Sequence, residues 1–115
     1  MADFNNPIAI SSSSGVKSQN AEFFPSYLHP NNVKVNGATI FFVSFSLNLS
    51  VELEVTRDSG NSWSKLRDQQ GSTTFTADND YTIPIFVRQG DDINFRIPTS
   101  GGAVLYHFRV DQLIS

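Results

Sequence analysis

The chain has 115 residues, no cysteine, ten phenylalanines, 17% charged residues and a formal net charge of −3. Such a length fits one domain whose core can stand without metal or disulfide staples. Zero cysteine excludes disulfide frameworks, cysteine zinc sites, iron–sulfur clusters and thiol nucleophiles, and the small negative charge offers no field for nucleic acid or anionic lipid.

The opening ten residues lack the basic start and apolar block of a signal peptide, and no run approaches the roughly 18 apolar residues that span a bilayer. The expectation is a chain made in the cytosol. Residues 1–32 are irregular and rich in Ser, Asn and Pro, with the low-complexity run Ser11-Ser12-Ser13-Ser14-Gly15. Pro7, Pro25 and Pro30 exclude a continuous helix or central strand there. Two readings stand: a disordered tail, or an extended arm whose anchors Phe4, Ile8, Ile10, Phe23, Phe24 and Tyr27 dock on a neighbouring chain. Disordered segments usually lack aromatics because they have nothing to bury them in, which favours the arm.

From Val33 the grammar changes to strands and turns. Val33-Lys34-Val35 precedes the turn dipeptide Asn36-Gly37. Phe41, Val43, Phe45, Leu47, Leu49, Val51, Leu53 and Val55 then occupy every odd position, with mostly polar residues between, the period of a half-buried strand. Fully extended, this span would measure roughly 50 Å, too long for a small domain. The segment must turn back or bend. An odd-length loop at Asn48-Leu49-Ser50 keeps the parity and predicts a hairpin with Leu47 opposite Val51; a sharply bent single strand is the alternative. Further strands are predicted at 62–66, 72–76, 81–87, 92–97 and 103–113, with Gly71, Gln89-Gly90-Asp91 and Thr99-Ser100-Gly101-Gly102 among the turns. With no helical period anywhere, the fold class is all-β: an antiparallel β-sandwich or jelly roll over 33–115, preceded by the arm.

The residues that could carry chemistry point elsewhere than catalysis. Glu52 and Glu54 share one strand face, whereas a glycosidase pair must flank a bond. Asp78-Asn79-Asp80 and Asp91-Asp92 read as Asx turns without a calcium-loop pattern. His29 and His107 lack ligand spacing, no nucleophile motif surrounds a serine, and no glycine-rich phosphate loop precedes a helix. No enzyme activity, cofactor, metal, nucleic acid or membrane is expected. Phe42, the large apolar residue on the polar face of its strand, is either a lone surface aromatic or a further partner contact.

Thr56-Arg57-Asp58-Ser59-Gly60-Asn61-Ser62-Trp63 resembles the Asp-box hairpin of sialidases and other β-proteins. Thr56, Asp58, Gly60 and Trp63 are its structural residues, with Asp58 accepting turn N–H groups and Gly60 supplying positive φ. The wider order of features, through Val87-Arg88-Gln89-Gly90-Asp91-Asp92-Ile93-Asn94-Phe95-Arg96 to Tyr106-His107-Phe108-Arg109-Val110-Asp111, resembles head decoration (cement) proteins of tailed bacteriophages. That resemblance implies a homotrimeric structural protein of the virion, bound to the major capsid protein or other virion proteins. The rival expectation is a carbohydrate- or receptor-binding tail module using Trp63, Tyr81 and Tyr106.

Overall fold

Alternation of apolar and polar residues governs what the chain builds. The computed structural model describes residues 8–31, 37–98 and 103–113. Phe4, the Val33–Asn36 stretch and the turn at 99–102 lie outside the described residues. Among the described residues nine strands follow in order: β1 (Ile8–Lys17), β2 (Ala38–Leu47), β3 (Val51–Glu52), β4 (Glu54–Thr56), β5 (Ser64–Lys65), β6 (Thr74–Phe75), β7 (Tyr81–Arg88), β8 (Asn94–Arg96) and β9 (Val104–Gln112). No helix occurs among the described residues, and every strand pairing is antiparallel. One four-stranded sheet has the order β1-β9-β2-β7; β3 pairs with β6, and β4 lies between β5 and β8.

The long strands bury one face, as a period of two requires. Phe41, Val43, Phe45 and Leu47 of β2 point inward with Ile83, Ile85 and Val87 of β7 and with Val104, Tyr106, Phe108 and Val110 of β9. They meet Val51, Leu53, Val55, Phe75, Ile93, Phe95 and Ile97 from the smaller sheets in one core. Phe108 is its centre, stacked on Phe23 at 4.7 Å and Phe45 at 5.1 Å, and tilted on Phe95 at 5.1 Å. Each such ring contributes about 1.5–3 kcal/mol by burial, and aromatic pair geometry adds to it.

The hairpin expected at Asn48-Leu49-Ser50 does not form. β2 pairs with β7 and β9, whereas β3 pairs with β6 and β4 with β5 and β8. The chain turns a corner instead and enters the other set of strands, closer to the bent-strand alternative. Parity survives because the inward face of β2 and that of β3–β4 line the same core. The corner is held by Asn48, whose backbone N–H donates to Leu105 O at 3.1 Å while its Oδ1 accepts from Leu105 N at 2.8 Å. Ser50 Oγ accepts from Ala77 N at 2.9 Å. Leu49, at the bend, is 37% exposed and interrupts the buried odd row.

The N-terminal segment also departs from expectation. Instead of standing apart as an arm, Ile8–Lys17 forms β1 and pairs with β9 from Ile8↔Gln112 to Lys17↔Val104. Serine is a poor strand former by composition, but β9 offers a second edge of unpaired backbone groups, and pairing there needs no large side chain. Ser13 Oγ adds a 2.6 Å hydrogen bond to the Tyr106 hydroxyl. The following segment, 18–31, runs along β8: Phe23 N donates to Phe95 O at 2.9 Å, and Leu28 and Ile93 exchange backbone bonds at 2.8 and 2.9 Å. Phe23 (0% exposed) and Phe24 (2%) thereby fill the chain's own core. Among the described residues, segment 8–31 thus adds a strand and core side chains to the sheets formed by 37–113.

Candidate binding face of the four-stranded sheet

The Thr56–Trp63 turn is built from its own side chains. Thr56 Oγ1 donates to Asp58 Oδ1 at 2.9 Å and accepts from Gly60 N at 2.9 Å. Asp58 accepts from Ser62 N at 2.8 Å and from Ser62 Oγ at 2.5 Å, and Trp63 Nε1 donates to Gly60 O at 3.1 Å. Gly60 has φ 84°, so the backbone conformation favours glycine, and a Cβ there would stand 3.0 Å from the Tyr27 hydroxyl. Ser59 Oγ donates to Asp92, which anchors the turn to the start of the β8 segment.

The hydrogen bonds from Ser62, with help from Thr56, hold the Asp58 carboxyl below its ordinary range. Thr73's hydroxyl, then Lys65, lowers Glu52 in the same direction. A depressed folded-state value contributes stability that is present above the ordinary carboxylate range and lost as pH falls through the folded value. Thermal melts should therefore show Tm falling between about pH 5 and pH 2, with Asp58→Asn lowering Tm at neutral pH and flattening that acid limb. Parallel acid limbs in the two proteins would remove Asp58 from the account.

The other sequence-selected residues scatter. Ile8 is exposed, Ile10 packs against the chain's own core, and Tyr27 is half-buried with its hydroxyl donating to Glu22 at 3.3 Å. Together with the buried Phe23 and Phe24, these residues form no common docking surface. The three rings considered for a sugar platform are likewise separated in role. Tyr106 is 2% exposed, Tyr81 stacks on Phe45 at 5.4 Å, and the Arg96 guanidinium lies 4.2 Å from the Trp63 ring centroid. Glu54 pairs with Arg96 at 2.8 Å and Glu52 with Lys65 at 3.4 Å, so these carboxylates are engaged in ion pairs and do not form a bare solvated face. His29 contacts Asp92 at 2.8 Å, while His107 lies exposed on β9. Among the described residues, no three His, Cys, Asp or Glu side chains gather as a metal set.

What the fold does assemble is the outer face of the four-stranded sheet, formed by even-numbered residues of β2 and β7 and odd-numbered residues of β9. At one end Ile40 stands opposite Phe86 and Phe42 opposite Pro84, giving an apolar strip in which Phe86 is 70% exposed. Phe86 is therefore not a core residue. Its parity was the available signal, since Ile83, Ile85 and Val87 bracket it on the opposite face. The Pro84 interruption is tolerated because β7 is an edge strand.

Beside this strip lies a polar trough. One register row crosses all four strands as Ser12, Arg109, Ser44 and Thr82, and the next runs through Ser14, His107 and Ser46. Together with Asp80 they line a space of about 510 Å³. Comparison of the chain with protein-family models, with curated proteins and with solved structures finds no match.

Proposed function

We propose that this chain is a non-enzymatic structural protein of a virion that binds a capsid surface, and that the major capsid protein or another virion protein is its partner. The observation that carries the reading is the apolar strip Ile40, Phe42, Pro84 and Phe86 on the outer sheet face, with Phe86 70% exposed. An exposed phenylalanine set beside half-buried Ile40 and Phe42 marks a surface for burial against another protein. The docking surface is thus placed on β2 and β7, with Phe42 the residue shared with the sequence-based expectation. Assembly as a homotrimer is part of the proposal, as the resemblance to phage decoration proteins implies.

We further infer a jelly-roll β-sandwich. Supporting it are the sheet order β1-β9-β2-β7 and a second layer in which segment 22–28 bridges to β8, β8 pairs with β4, and β4 pairs with β5. Capsid and lectin domains use this architecture, an analogy of fold and not of site. The lectin side of that analogy keeps the carbohydrate- or receptor-binding alternative in view, now supported by the trough.

Co-sedimentation with capsid particles tests the main reading. Phe42→Ser with Phe86→Ser should weaken binding by at least about tenfold, while the chemical-denaturation midpoint of the free protein stays close to that of the parent. Undiminished co-sedimentation of the folded double variant would refute the strip. Deleting residues 8–31 is not an equivalent test, because it removes β1 and two core phenylalanines.

A further inference from the structure

We propose that the trough across β1, β9, β2 and β7 is a binding site for a hydroxyl-rich saccharide bearing a single anionic group, a carboxylate or a sulfate ester. Its volume of about 510 Å³ falls within the roughly 300–1,000 Å³ range of small-ligand sites. The depression follows from side-chain size. Ser12, Ser14, Ser44 and Ser46 are short and leave open space over two adjacent register rows.

The lining chemistry selects the ligand. Serine and threonine hydroxyls each donate and accept, as sugar hydroxyls do, so a saccharide can exchange hydrogen bonds with several of them at once. Asp80 adds an acceptor at the β7 end. Arg109 supplies the anion contact. Its Nε is held by Asp111 at 3.0 Å, which orients the guanidinium, and the side chain remains largely exposed along the trough. The planar fork of the terminal nitrogens suits bidentate contact with a carboxylate or sulfate. Charge balance argues against a polyanion. Arg109 is already paired with Asp111, Asp80 lies in the same trough, and the whole chain carries −3, so a densely charged strand would be repelled. The site draws on different residues from the apolar strip and stands or falls separately from the capsid reading.

Calorimetric titration tests it with three probes: a galactose oligosaccharide ending in a single galacturonate, a monosulfated galactose oligosaccharide and a neutral galactose oligosaccharide. At least one anionic probe should bind more tightly than the neutral one, and which of the two does so distinguishes carboxylate from sulfate. Arg109→Gln should weaken that binding about tenfold or more, and Ser44→Leu, which fills the trough and leaves the guanidinium in place, should abolish it. Arg88→Gln, on the same sheet but away from the trough, should leave binding unchanged. The Phe42→Ser, Phe86→Ser double variant should still bind the sugar. Binding of none of the probes overturns the proposal, as does equal weakening by Arg88→Gln and Arg109→Gln.

Discussion

Phe23→Ala is expected to destabilise the free chain by about 3–5 kcal/mol and to lower Tm by more than about 10 °C. Phe23 has no exposed surface, stacks on Phe108 at 4.7 Å and meets the edge of Tyr106 at 4.7 Å. Truncation therefore removes the transfer free energy of the ring and leaves a cavity among side chains held by two sheets, which cannot collapse freely. The result separates two roles for the same residue. An anchor for another chain would lie exposed in the free protein, and its loss would change stability by no more than about 0.5 kcal/mol. Urea denaturation at several protein concentrations distinguishes them. A large loss independent of concentration places Phe23 in its own core, whereas one that appears only at concentrations where chains associate belongs to an interface.

Asn94→Leu should be nearly as damaging, at about 3–5 kcal/mol, although it exchanges a polar residue for an apolar one of similar size in a buried position. Asn94 is fully buried and joins segment 18–31 to β8. Its Oδ1 accepts from Phe24 N at 3.1 Å and Phe95 N at 2.9 Å, and its Nδ2 donates to Phe24 O and Glu22 Oε2, both at 2.9 Å. Leucine would leave the Phe24 amide and carbonyl buried without these partners, and each unsatisfied group costs about 1–3 kcal/mol. Asn94→Asp gives a second readout. It keeps the acceptor but sets a buried carboxylate against Glu22, so its penalty should shrink as pH falls and the introduced carboxyl protonates. Denaturation midpoints for both variants at neutral and acid pH check this; changes no larger than those of surface substitutions would mean that Asn94 does not pin the segment.

Local pattern made much of the β-structure legible. The 81–87 and 103–113 predictions coincide closely with β7 (Tyr81–Arg88) and β9 (Val104–Gln112), because a strand with one buried face writes its pleat directly into the sequence. The hairpin of Thr56, Asp58, Gly60 and Trp63 was equally readable, since its hydrogen bonds close within eight residues. The candidate face was harder. Ser12 and Thr82 lie 70 positions apart and share a register row only because Arg109 and Ser44 stand between them on paired strands. A serine run carries no apolar period, so β1 had no signature to find.

What sequence alone determined here is the all-β character and the inward or outward parity of the residues in β2, β7 and β9, because the pleat is a property of the local backbone. Partnership was decided only in three dimensions. Which edge β1 completes, where the chain turns at Asn48, and whose core receives Phe23 and Phe24 all depend on unpaired backbone groups and apolar surface that distant segments present. Those contacts exist only after the long-range loops have closed, and no window of sequence contains both sides of them.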